Sequence, residues 1–221
     1  LHSTPADELQ KIWKCNDKIA ALNVERLQNM DLYHGLTPAI LAYEGIQFQY
    51  MAPGVFTEAE YDYIQEHLRI LSGFYGVLRP FDGVTPYRLE MQAKISVDGR
   101  KDLYDFWGMA LAESLETDCI LNLASKEYSQ AVSKHLDRSV RWINFVFGEI
   151  KNEKVVEKGT LCKMARGEMV RYLAEKQIED IEEVKHFDRL DFRYSTEHSK
   201  EDTFVYIRNE ERKWNVLPKE P

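Results

Sequence analysis

Residues 67–91 read HLRILSGFYGVLRPFDGVTPYRLEM and carry the side chains best suited to chemistry. Gly73 and Gly76 let the backbone approach another group closely or take positive φ. Pro80 and Pro86 push Arg79 and Thr85 out of the helical region. Arg69, Arg79 and Arg88 therefore stand on or beside rigid turns, where a guanidinium can be aimed at a carboxylate or a phosphate. Asp82 and Glu90 are placed to neutralise Arg79 and Arg88. Their other use, holding a divalent cation, lacks supporting ligands at suitable spacing.

Two further stretches suit an anion. Residues 122–128 (NLASKEY) put a strand end just before a helix start, where free N–H groups and the helix dipole favour negative charge. Ser125 and Lys126 add a hydroxyl and an ammonium there, although the same residues also make an ordinary N-cap without the glycines of a P-loop. In the helix around 163–167 (KMARG), about 100° per residue places Leu161, Ala165, Met169 and Tyr172 on one stripe and Lys163, Arg166, Gly167 and Val170 opposite. Gly167 costs about 1 kcal/mol against alanine in a helix interior. That cost makes sense where another backbone or a ligand comes close. The spacing of Gly73 and Gly76 is also compatible with the glycine turn of a helix–hairpin–helix module, whose amides grip DNA backbone.

Composition narrows the field. The 221 residues carry a net charge of −8, which argues against coating nucleic acid indiscriminately. The charge is uneven: residues 1–125 sum to −8, 126–176 to +4 and 177–221 to −4. A basic middle can still bind a polyanion locally, because screening confines fields to about 8–10 Å. No apolar run approaches the roughly 18 residues of a membrane span, and no pattern matches a cleavable signal peptide. Cys15, Cys119 and Cys162 form neither a disulfide framework nor a metal knuckle, which suits a reducing cytoplasm. The histidines at 2, 34, 67, 135, 186 and 198 are scattered. No HExxH, GxSxG, Walker loop or GxGxxG is present, so the common metalloprotease, hydrolase, NTPase and dinucleotide readings lack a foothold. Neither a bound metal nor a cofactor is expected.

The elements that must position these residues follow from caps and periodicity. Thr4-Pro5 opens a helix over 5–15, with a second over 17–30. Thr37-Pro38 opens a short helix over 39–43, closed by Gly45. A capping box at 57–60 starts another, continued by Tyr61, Ile64 and Leu71. Residues 87–94 read as extended and 101–114 as an aromatic-rich helix. Residues 119–123 suit a buried strand and 140–150 a longer one, returning over 154–156 as a hairpin. An amphipathic helix covers 160–177, and 190–194 and 204–208 read as late strands. The pattern predicts one α+β domain over 1–221, its helices packed around a mixed sheet.

Residues 39–45 (AILAYEG), 69–91, 101–107 (KDLYDFW), 122–128 (NLASKEY) and 163–172 (KMARGEMVRY) occur in this order in the YaaA-type peroxide stress proteins, which the chain resembles from about residue 30 to 208. The resemblance implies a cytoplasmic bacterial protein that resists hydrogen peroxide and keeps unincorporated iron low. It also implies a positively charged cleft and a helix–hairpin–helix-like element, both linked to DNA binding. Members of that family usually open with a short strand bearing Ser-Pro-Ala-Lys, and this chain starts after that point.

Two readings of function result. In the first, Lys94, Arg100, Lys101, Lys126, Lys163 and Arg166 wall the cleft, joined by Arg79, Arg88, Ser125 and the glycine amides at 73 and 76. A monomer of this kind would grip double-stranded or branched DNA through its phosphates. In the second, Arg79, Arg88, Ser125, Lys126, Lys163 and Arg166 line the pocket of an enzyme for a small anionic substrate, with Tyr87, Tyr128 or Glu90 moving a proton. Direct iron binding is the weakest reading, since His and Cys are dispersed.

Overall fold

A computed structural model describes residues 1, 2 and 4–208 and shows an α+β protein. The chain opens with α1 (Ala6–Trp13), α2 (Asp17–Gln28), β1 (Thr37–Pro38), α3 (Ala39–Ala42), α4 (Ile46–Met51) and α5 (Glu58–His67). Next come β2 (Ile70–Ser72), β3 (Gly76–Leu78), β4 (Gly83–Val84), α6 (Leu103–Trp107), α7 (Ala110–Glu113), β5 (Cys119–Asn122) and α8 (Lys126–Ser133). It continues through β6 (Arg141–Lys151), β7 (Lys154–Glu157), α9 (Gly159–Lys176), α10 (Ile181–Val184), β8 (Phe192–Tyr194) and β9 (Thr203–Arg208). These elements gather into two compact units, one of residues 1–43, 56–120 and 124–141, the other of 44–55, 121–123 and 142 onward.

In the first unit Leu9, Trp13 and Leu27 pack α1 on α2. Asn16 caps α2 by accepting from the Ile19 N–H at 3.0 Å, and Thr57 and Glu60 form the expected capping box on α5. The N-cap of α1 is Pro5 rather than Thr4. Residues 87–94 are not a strand. Leu89, Met91 and Ala93 are buried while Glu90, Gln92 and Lys94 are exposed, so the period of two is real. No ladder forms there; instead the Ala93 N–H donates to Glu90 O and that of Gln92 to the Glu127 carboxylate. The helix expected over 101–114 breaks at Gly108, whose φ of +49° separates α6 from α7.

The stretch 70–78 corrects the helix–hairpin–helix expectation. β2 and β3 form an antiparallel hairpin, pairing Ile70 with Leu78 and Ser72 with Gly76. Gly73 and Gly76 thus sit at a turn between strands, not between two helices. Both are buried, and internal packing explains them. A Cβ on Gly73 would lie 2.7 Å from Leu89 O, and one on Gly76, at φ +81°, would meet the Trp107 ring at 2.9 Å.

The second unit is built on a mixed sheet in which β6, β9 and β8 lie side by side in that order, with β7 returning as a hairpin on β6. β6 runs parallel to β9, pairing Phe145 with Phe204 and Phe147 with Tyr206. β8 runs antiparallel to β9. Ile143, Phe145 and Phe147 point into the core on alternate positions, and Phe147 stacks on Tyr206 with centroids 5.3 Å apart. Gly45 opens α4 rather than closing α3. α4 lies against α9 where Gly167 has no side chain, so helix packing occupies the space left by that glycine. Among the described residues no helix is long and apolar enough to cross a membrane.

Candidate anion-binding site

The first unit brings Lys94 and Lys101 together on an open depression of about 430 Å³, with Gln92, Ser96, Asp102 and Tyr104 also on its wall. Asp102 caps α6 by accepting from the Asp105 N–H at 2.8 Å, so its carboxylate is engaged on backbone. Tyr104 is fixed at both ends of its hydroxyl. It donates to Glu127 O at 3.0 Å and accepts from Gln130 Nε2 at 2.7 Å. Lys134 Nζ lies 6.0 Å from the Tyr104 ring centroid, which adds a third ammonium to this patch. Burial raises the Glu127 carboxyl above the usual carboxylate range, opposed by the N–H that Gln92 donates to it.

The other cations part company. Arg88 is committed: its Nε and one terminal nitrogen donate to Trp13 O at 3.2 Å, and Glu90 lies 3.5 Å away. Arg100 lies 3.9 Å from Asp105. Asp82 does not neutralise Arg79; it accepts the Arg79 backbone N–H at 2.7 Å and stabilises the Pro80 turn. Among the described residues Arg79, Lys94, Lys101, Lys126, Lys163 and Arg166 have no carboxylate within 4.0 Å. Ser125 takes the N-cap position of α8, yet its hydroxyl makes no capping bond. Lys163 and Arg166 belong to α9 of the second unit, with Lys163 exposed and the Arg166 Nε buried without a hydrogen-bond partner among the described residues.

Sequence reasoning did not find the polar chain under the β2–β3 hairpin. Ser72 is fully buried and accepts from the N–H groups of Phe74 (3.0 Å) and Tyr75 (2.8 Å). Both lone pairs are then used, so its own proton goes to Tyr87 Oη at 2.6 Å. Tyr87 in turn contacts Tyr43 Oη at 2.6 Å. Burial, then the neighbouring Tyr43, pushes the Tyr87 hydroxyl far above an ordinary phenol, and Tyr128 is raised by burial and by Glu127. Tyr43 and Ser72 lie in the stretches 39–45 and 69–91, but no spacing links them, and 44 residues of sequence separate the two tyrosines. Tyr87→Phe is expected to cost about 1–3 kcal/mol, because the fully buried Ser72 loses the acceptor for its proton. Urea unfolding of the variant checks this, and a cost below the measurement error would show that the hydroxyl chain does not stabilise the fold.

In the second unit Cys162 donates to Phe147 O at 3.2 Å and lies 3.4 Å from Glu157 Oε1. Burial first, and then the Glu157 charge, pushes its thiol up to about 11. The thiolate is the species that peroxides and alkylating agents attack, so Cys162 is held in its unreactive form at neutral pH. A group raised in the folded state contributes stability that is complete below its unfolded value, about 8.5, and is lost as pH climbs through the raised value. Iodoacetamide is therefore expected to leave native Cys162 unlabelled near pH 7 and to modify it as the pH approaches 11. Peptide mass mapping reads the outcome.

The fold and these groups define an α+β protein in which Lys94 and Lys101 share one depression and have no carboxylate within 4.0 Å among the described residues. The family model for Peroxide stress protein YaaA matches residues 1–198, and the chain belongs to that family of peroxide stress proteins. It is 57% identical over 212 residues to a UPF0246 protein of Lachnoclostridium phytofermentans, spanning 95% of this chain and 83% of the relative. It is 54% identical over 210 residues to one from Desulfitobacterium hafniense, spanning 94% and 84% of the two chains. A third, from Agathobacter rectalis, is 53% identical over 210 residues with the same coverage.

Proposed function

We propose that this peroxide stress protein works in the cytoplasm by binding DNA through its phosphates, and so limits the damage that unincorporated iron causes in the presence of peroxide. The observation that carries this reading is the set of exposed lysines with no acidic partner among the described residues, above all Lys94 and Lys101 beside Tyr104. An unneutralised ammonium gains most from a polyanion, since binding releases condensed counterions without breaking an internal pair. Within the same unit the exposed cations Arg79 and Lys126 likewise have no acidic partner among the described residues. Arg88 contributes little, being held by Trp13 and Glu90. The buried glycines at 73 and 76 are left out of the DNA contacts.

The test is a gel-shift series in rising salt with a short duplex and a branched junction. Each lost phosphate contact lowers the log–log salt slope by about 0.9, so Lys94→Gln with Lys101→Gln should weaken binding and flatten the slope by about 1–2. Equal affinity and slope for the double variant would defeat the proposal. The same variant should no longer shield plasmid DNA from nicking by ferrous iron and peroxide.

The second reading is an enzyme acting on a small anionic substrate, and the Ser72–Tyr87–Tyr43 hydroxyl chain favours it, since such a chain can move a proton. Peroxide survival of cells carrying Tyr87→Phe separates the two readings. Lost protection with full DNA affinity supports the enzyme, whereas protection that tracks DNA affinity supports the first reading.

A further inference from the structure

We infer that the depression beside β8 is a separate anion site, made to receive the phosphate group of a small phosphorylated ligand. It opens to about 550 Å³ and is lined by Lys185, His186, Asp188, Arg193, Tyr194 and Thr196, among others. That volume lies in the range of small-molecule sites. No motif in the sequence marks it.

Arg193 is the centre of the site. One of its terminal nitrogens donates to Asp188 O at 2.7 Å and to Phe192 O at 2.8 Å. The Ser195 N–H donates to Val205 O, so the Phe192 carbonyl faces the outer edge of β8, where the guanidinium covers it. The side chain is thus anchored by main chain alone. Among the described residues no carboxylate lies within 4.0 Å of it, and its remaining N–H groups are unspent. A fixed, unneutralised guanidinium with spare donors matches a phosphate in shape and charge.

Its neighbours complete a donor-rich wall. His186 is exposed and its ring makes no hydrogen bond among the described residues. Thr196 offers an exposed hydroxyl. Lys185 serves the wall differently, because both Glu182 oxygens hold its ammonium, at 2.7 and 2.8 Å, and it lies over the rings of Tyr194 and Phe204. It props the aromatic side of the depression. Among the described residues Asp188 is the one carboxylate on the wall.

The experiment is calorimetric titration of the full chain with inorganic phosphate and with AMP. Saturable binding of either probe is expected, weakened at least about tenfold by Arg193→Gln and about threefold or more by His186→Gln. His186→Gln guards against a folding defect, because that ring supports no other group. Lys94→Gln with Lys101→Gln should leave the affinity unchanged, which separates this site from the proposed DNA surface. No saturation by either probe, or full affinity in the folded His186 and Arg193 variants, overturns the inference. Displacement of AMP by a short duplex also overturns it, since the phosphate would then belong to nucleic acid.

Discussion

Gly167→Ala is expected to destabilise the second unit by about 3 kcal/mol. The glycine lies in the interior of α9, where alanine alone would gain about 1 kcal/mol of helix propensity. Packing overrides that gain. A Cβ at this position would lie 2.1 Å from Gln47 O and 2.9 Å from Met51 N, both backbone atoms of α4. Neither can rotate aside, so α4 must retreat by roughly 1 Å to restore ordinary contact distances. Gly159→Ala is the control. It lies at the start of the same helix with nothing within 4 Å of the added carbon, and it should be neutral or stabilising by up to about 1 kcal/mol. Urea unfolding of the two variants measures the contrast. Equal stabilities would mean that α4 and α9 are not in the contact described.

Lys158→Met should be the second large loss, about 3 kcal/mol. Glu149 sits on β6 with 3% of its surface exposed, and Lys158 Nζ approaches its Oε2 to 2.5 Å. Arg208 lies farther off, at 3.8 Å from Oε1, and also donates to Leu190 O. Removing the lysine takes a close positive charge from a carboxylate that burial has already stripped of water. The remaining arginine keeps the cost toward the lower end for a broken buried pair. Replacing both partners, Glu149→Leu with Lys158→Met, should recover most of the loss, because no buried charge is then left behind. A double variant no more stable than Lys158→Met would show that the lysine acts through its stem rather than its charge.

Much of the local structure was legible in the residues themselves. Thr57 and Glu60 announce α5, the alternation of Ile143, Phe145 and Phe147 announces β6, and the residues at 151–153 announce the return into β7. These signals act within a few residues, through caps, turn dihedrals and the period of a pleat. They survive whatever the rest of the chain does. The alternation at 87–94 was equally real, yet it produced no strand, because a ladder needs a partner that sequence spacing cannot supply.

The fate of each charge was decided by the tertiary structure. Arg88 and Lys94 look alike as residue types, but Arg88 meets Trp13 O across 75 residues and Lys94 meets no acid among the described residues. Ser72, Tyr87 and Tyr43 become one hydrogen-bonded chain only when the hairpin folds over them. Gly167 fitted either a ligand or a helix until α4 filled the space. Residue type determined what each group could do, and burial with long-range contacts determined which groups remained free to do it. The cause is physical: desolvation and pairing depend on neighbours in space, whereas propensity and capping depend on neighbours in the chain.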